Sequence, residues 1–146
     1  MESADRVRAN TSEEINRRID REIDARVREY AKKSSQEITR RIGELDREWD
    51  IERILETNAS ALAFTGLLLG VTKNRKWLIL PGLVLPFLFQ HAVQGWCPPL
   101  PILRELGVRT RQEIDREKYA LKILRGDFHI AELSLNSEAA LQSTKT

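Results

Sequence analysis

A single cysteine in 146 residues excludes an internal disulfide framework and any cysteine-rich zinc site. Two histidines, His91 and His129, leave little material for a metal centre, so neither metal nor cofactor is expected. Seven glycines and five prolines leave little room for an all-β fold of many short strands. Neither sign of charge is in excess: 24 basic against 22 acidic side chains give +2, no reason to expect a nucleic-acid partner. The first fifty residues hold no apolar run, so no secretory signal peptide is expected there, and no lipidation motif stands out. With no constellation of catalytic side chains, the chain does not read as an enzyme.

What is there is a sharp partition of charge. Residues 1–57 hold 13 basic and 15 acidic side chains, and residues 104–146 hold eight and seven. Between them, residues 58–103 hold three charges, Lys73, Arg75 and Lys76, adjacent and all basic. A soluble globular domain spreads its charges along the chain; expulsion from one block is what a low-dielectric surrounding requires. The expected organisation is a charged cytoplasmic rod over 1–53, a membrane hairpin over 54–108, an amphipathic helix over 109–130 and a flexible tail over 131–146.

In the first zone, Thr11 and Glu14 have capping-box spacing, which predicts a helix start. The apolar residues then recur as Ile15, Ile19, Ile23, Val27, Tyr30, Ile38, Ile42, Leu45 and Trp49. Fifteen residues per four turns is close to the α-helical repeat and drifts slightly right-handed. The other faces are charged, with acid-first i,i+4 pairs such as Glu13–Arg17, Glu14–Arg18, Glu22–Arg26, Asp24–Arg28, Glu29–Lys33 and Glu37–Arg41. One helix from Thr11 to about Ile54 would reach ~65 Å. Its narrow seam predicts a coiled-coil-like stalk that self-associates or holds a cytoplasmic protein. Ser34 and Ser35 with Glu37 offer the alternative, a second cap that breaks the rod.

The middle zone reads as two antiparallel membrane segments, about 54–72 and 77–96, joined by a basic turn and flanked by Trp77 and Trp96 at the interface. Ala59, Ala63, Gly66 and Gly70 form a small-residue stripe that lets helices approach closely in lipid. Pro81 and Pro86 predict a kink or local unwinding of the second segment. Gln90, His91 and Gln94 are the polar residues of that segment, suited to helix–helix hydrogen bonds or, in an oligomer, to a small-solute conduit. Arginines outnumber the turn's three cations on the outer flanks, so the positive-inside rule predicts both termini in the cytoplasm.

After the second segment, Gly95-Trp96-Cys97-Pro98 leads into Ile102-Leu103 and a Leu106-Gly107 stop. Thr110 and Glu113 form another capping box, followed by a helix to Gly126. Two short membrane helices, a Gly-aromatic-Cys-Pro motif and an Ile-Leu…Leu-Gly stop resemble the small bacterial inner-membrane domain of the YgaP type. The resemblance covers about residues 52–108, under half of the chain. It implies an inner-membrane location and a two-helix membrane fold, in a family sometimes fused to a rhodanese (sulfurtransferase) domain and largely of unknown function. This chain departs from that pattern in Pro99, Pro101, the charged N-terminal zone and the helix after Thr110, and it contains no rhodanese domain.

Cys97 admits three readings: persulfide or redox chemistry helped by a nearby cation such as Arg104, acylation, or packing as a small apolar residue. The expected fold is all-α, a long charged helix, a membrane hairpin and a short amphipathic helix. The expected function is a non-enzymatic inner-membrane scaffold or adaptor, homo-oligomeric and in contact with the lipid bilayer. Sulfur handling through Cys97 and solute conduction are the alternatives.

Overall fold

The computed structural model describes residues 5–127, all helices and connecting turns; the tail expected over 131–146 lies outside them. The helices are α1 (Arg6–Ala9), α2 (Glu13–Tyr30), α3 (Ser35–Arg47), α4 (Ile51–Thr72), α5 (Ile79–Gln94), α6 (Leu100–Glu105) and α7 (Arg111–Arg125), with a 3₁₀ turn over Arg75–Leu78 before α5. The chain divides into two units. Among the described residues, one holds 5–19 together with Trp49–Arg111, and the other holds Asp20–Glu48 together with 112–127.

The continuous helix expected over 11–54 is not formed. Ser34 breaks it: its hydroxyl accepts from the Glu37 backbone N–H at 3.4 Å, and the Glu37 carboxylate accepts the Ser34 backbone N–H at 3.0 Å. This reciprocal box starts α3, and the hydrogen bonds from Ser34 hold the Glu37 carboxyl below the usual carboxylate range. A second break follows α3, where Asp50 accepts the Arg53 N–H at 2.8 Å and opens α4. The first cap also lies one residue later than expected. Ser12 faces the Ile15 N–H at 3.4 Å, while the Thr11 hydroxyl donates to the Val7 carbonyl at 2.7 Å, closing α1, a helix that the periodicity does not reveal.

In the second unit the apolar stripe is consumed inside the chain. Ile38, Ile42 and Leu45 of α3 pack with Ile114 and Leu121 of α7, and Tyr30 covers the cluster from α2. Ile23 is also buried. A short helix cannot hide such a stripe alone, so α7 supplies the complementary face. Of the remaining stripe residues, Ile19 is buried in the first unit, Ile15 and Val27 are half-buried, and Trp49 is exposed under the Arg53 guanidinium, 4.5 Å from its ring centroid.

Charge in this unit is spent across helices as much as along them. Glu117 of α7 is fully buried; its carboxylate accepts from Arg26 Nε at 3.2 Å and from Arg41 Nε and Nη2 at 3.0 and 2.9 Å. Arg116 reaches Asp20 and Asp24 of α2, and Lys118 reaches Asp46 of α3. Glu13–Arg17 and Glu22–Arg26 form along α2 as the spacing predicts, and Glu29 pairs with Lys33 in the turn that follows it. Arg41, Asp24 and Glu37 instead go to Glu117, Arg116 and Ser34.

In the first unit, α4 and α5 form the antiparallel hairpin. Gly66 and Gly70 are the points of closest approach: a Cβ on Gly66 would lie 2.5 Å from Pro81 Cδ, and one on Gly70 2.5 Å from Leu78 Cδ2. The small-residue stripe therefore closes the hairpin on itself. Pro81 falls in the first turn of α5, where a backbone N–H has no helical partner to lose, and Pro86 lies inside the helix. Among the described residues, two helices are long and apolar enough to cross a membrane, and little of their apolar surface is buried. Phe64, Leu67, Leu68, Val71, Ile79 and Phe89 all face outward. An apolar surface of this kind suits a lipid environment.

Candidate functional site

The C-terminal end of α5 is where the sequence motif and the N-terminal segment meet. Gly95 ends the helix with φ of +74°, a left-handed conformation that glycine adopts without penalty. It is also overlaid by α1: a Cβ there would lie 2.5 Å from Arg6 Cβ and 2.8 Å from its carbonyl carbon. Arg6 Nη1 donates to the Ala92 carbonyl at 2.5 Å, and Asn10 Nδ2 to the Gln94 carbonyl at 2.9 Å. These carbonyls are the unsatisfied acceptors of a helix end, and a cation is favourable there. Asp5 locks α1 in place. One carboxylate oxygen accepts the Val7 and Arg8 N–H groups at 3.1 Å each, and the other accepts the Thr110 hydroxyl at 2.6 Å.

Beneath this cap lies an apolar cluster of Val7, Ile51, Leu55, Cys97 and Leu100, with Leu103 and Val108 against it. Cys97 is 4% exposed. Burial pushes its thiol pKa up, partly offset by the Leu100 backbone N–H. Arg104, expected as a possible activating cation, is itself buried and turns elsewhere, donating to the Val108 carbonyl at 3.0 Å and to Asn16 Oδ1 at 2.9 Å. The motif is thus a packing device around a turn: Gly95 for the approach of α1, Cys97 in the core, Trp96 and Pro98 at the surface.

Next to this cluster, α4, α5 and the start of α6 enclose a cavity of about 350 Å³, open on one side. Its wall is mainly apolar, from Leu55, Leu62, Val84, Phe87 and Leu88, with Asn58, His91 and Cys97 as the polar members. The three polar residues of the second segment are not one surface. His91 lines the cavity and is 8% exposed, and its Nδ1 is buried without a hydrogen-bond partner. Gln90 Nε2 instead faces Gln94 Oε1 at 3.5 Å, and neither glutamine lines the cavity. The docking of α1 escaped the sequence reading because it depends on contacts more than eighty residues apart, and the cavity because it exists only once α4, α5 and the start of α6 are packed together. In comparisons with known proteins, no family model, no curated protein and no solved structure matches this chain.

Proposed function

We propose that the chain is a non-enzymatic scaffold or adaptor held in the bacterial inner membrane by the α4–α5 hairpin. Its charged helices stand on the cytoplasmic side, where they are available to a cytoplasmic protein. The observation that supports this most directly is the hairpin itself. Two helices with outward-facing Phe64, Leu67, Ile79 and Phe89 adjoin segments whose faces are almost wholly charged. Both termini lie in the cytoplasm on the lysine and arginine count, with the basic turn at Lys73, Arg75 and Lys76 on the far side. The resemblance of residues 52–108 to the YgaP-type domain belongs to the same proposal.

Self-association would have to use the uncovered part of the stripe, Ile15, Val27 and Trp49. Ile38, Ile42 and Leu45 are covered by α7, and Gly66 and Gly70 by the second segment of the hairpin. Sulfur handling through Cys97 gains no support from a thiol that is buried and pushed away from its thiolate form. A conduit gains none from three polar residues that do not share a surface.

The test is alkaline carbonate washing of membranes, followed by trypsin on right-side-out and inverted vesicles. The expected result is full retention in the pellet, with cleavage in the charged helices only from inverted vesicles. Release into the supernatant would refute the membrane anchor, and cleavage in those helices from right-side-out vesicles would reverse the orientation.

A further inference from the structure

The short helix α6 carries its polarity inside out. Residues four apart share a helical face, and residues two apart lie on opposite ones. Leu100 and Arg104 form the inward face and are fully buried, whereas Ile102 and the capping residue Leu106 point outward, 64% and 75% exposed. A surface helix in water turns its apolar stripe to the core, and arginine is almost never buried to this extent. Glu105, the charged side chain that stays exposed on α6, is met by Arg18 at 3.4 Å.

The backbone supplies a second, independent observation. The last carbonyls of a helix are ordinarily left to water. Here those of Ile102, Leu103 and Arg104 accept the N–H groups of Leu106, Val108 and Gly107, each at 3.0 Å, and that of Glu105 accepts from Arg18 Nη2 at 2.8 Å. At the other end Pro98, Pro99 and Pro101 have no N–H to satisfy, and the Leu100 N–H donates to the Cys97 carbonyl at 3.0 Å. Both ends make little demand on water, which is the condition a bilayer boundary imposes. The position of the helix agrees. Pro99 and Leu103 share a cavity wall with Leu62 of α4 and Phe87 of α5, so α6 lies beside the apolar runs of the hairpin. From Ala92 to Leu103 there is no Asp, Glu, Lys or Arg, and outward-facing Val93 and Trp96 continue the apolar surface of α5 along the chain.

We infer that α6 is an interfacial helix, lying at the boundary between headgroups and acyl chains of the cytoplasmic leaflet. Ile102 and Leu106 enter the lipid chains, and Arg104 is turned into the protein. The partner of this face is the phospholipid bilayer itself, and Trp96 belongs at the same depth, where tryptophan is favoured. The inference rests on the reading of α4 and α5 as a membrane hairpin, and it adds a lipid contact confined to one leaflet.

The experiment uses the full chain in phosphatidylcholine vesicles, with a nitroxide attached in turn at Ile102→Cys, Leu106→Cys, Phe64→Cys and Arg17→Cys, each in a Cys97→Ala background. Collision of the nitroxide with oxygen, which concentrates in lipid, is compared with collision with a water-soluble nickel chelate. Phe64, outward on α4, reports on the hairpin, and Arg17, outward on α2, reports on water. Ile102 and Leu106 should lose collisions with nickel and gain collisions with oxygen relative to Arg17, as Phe64 does. Water-like behaviour at Ile102 and Leu106 with lipid-like behaviour at Phe64 would overturn the inference and leave the hairpin standing. Shielding of both positions from both reagents would put a protein on this face and overturn it as well. Water-like behaviour at Phe64 would bring down the hairpin reading and the inference together. Should the Cys97→Ala background not fold, a phosphatidylcholine with a diazirine near its headgroup tests the unmodified chain. Crosslinks on Ile102 and Leu106 are then expected, and crosslinks confined to α4 and α5 would overturn the inference.

Discussion

Arg6 and Gly95 are stacked so closely that the glycine has no room for a side chain: a Cβ would lie 2.9 Å from the Arg6 carbonyl oxygen. Gly95→Ala therefore meets two penalties, the contact with α1 and the left-handed backbone at φ +74°. The expected loss is about 1–3 kcal/mol, expressed as undocking of α1. Limited trypsin digestion of the folded protein in detergent should show faster cleavage after Arg6 and Arg8, while α4 and α5 stay protected. Unchanged cleavage would mean that α1 is not held by this contact.

Gly66 and Gly82 allow a matched comparison within the hairpin. A Cβ at Gly66 meets Pro81 Cδ at 2.5 Å and Leu80 Cβ at 2.9 Å, whereas one at Gly82 meets nothing within 4 Å. Gly66→Ala should destabilise the helix pair by about 1–3 kcal/mol through overpacking. Gly82→Ala should be neutral or stabilise by up to about 1 kcal/mol through backbone entropy. Thermal unfolding in detergent, followed by helical circular dichroism, separates the two; equal midpoints would refute the close approach.

Glu117 carries two arginines, Arg26 and Arg41, from a fully buried position. Glu117→Ala leaves both cations short of their carboxylate, a loss of about 3–5 kcal/mol by analogy with broken buried ion pairs. Hydrogen exchange of the full chain should show faster exchange in α3 and α7. Ile42→Asp should have the same effect, because it places a charge in the cluster with Ile114 and Leu121. A folded Ile42→Asp protein with altered mass would instead restore the self-association reading.

Burial raises the Cys97 thiol pKa, so the reactive thiolate is scarcer at neutral pH than in an unstructured peptide. Iodoacetamide should alkylate Cys97 at pH 7.5 at least tenfold more slowly in the native protein than in denaturant. The rate should still be climbing above about pH 10, where a free thiol has levelled off. Native and denatured rates that coincide would show that the thiol is neither buried nor shifted.

The hairpin was legible because its composition sets it apart: three charges in 46 residues, with Trp77 and Trp96 bracketing the second segment. The stripe from Ile15 to Leu45 was equally legible, but not what covers it. The same periodicity serves a second chain or a distant helix, and only the placement of Ile114 and Leu121 decides between them. Thr110 and Gly126 mark the limits of α7 as predicted, because capping is local chemistry. Ser34 and Glu37 had the right spacing to break the rod, and the break prevails because reciprocal bonds satisfy both ends of the box. The roles of Arg6 and His91 were invisible, since an arginine near a terminus and a lone histidine carry no pattern until a helix end or a cavity is beside them.

The fastening of α1 over the end of α5 sets an order of events during synthesis. Arg6 and Asn10 leave the ribosome more than eighty residues before Ala92 and Gln94, whose carbonyls they bind. The Arg6–Asn10 stretch must therefore wait, unfastened, until both halves of the hairpin have been made. Its docking is the signature of a completed hairpin, and a chain stalled before Gly95 carries α1 loose and open to proteases.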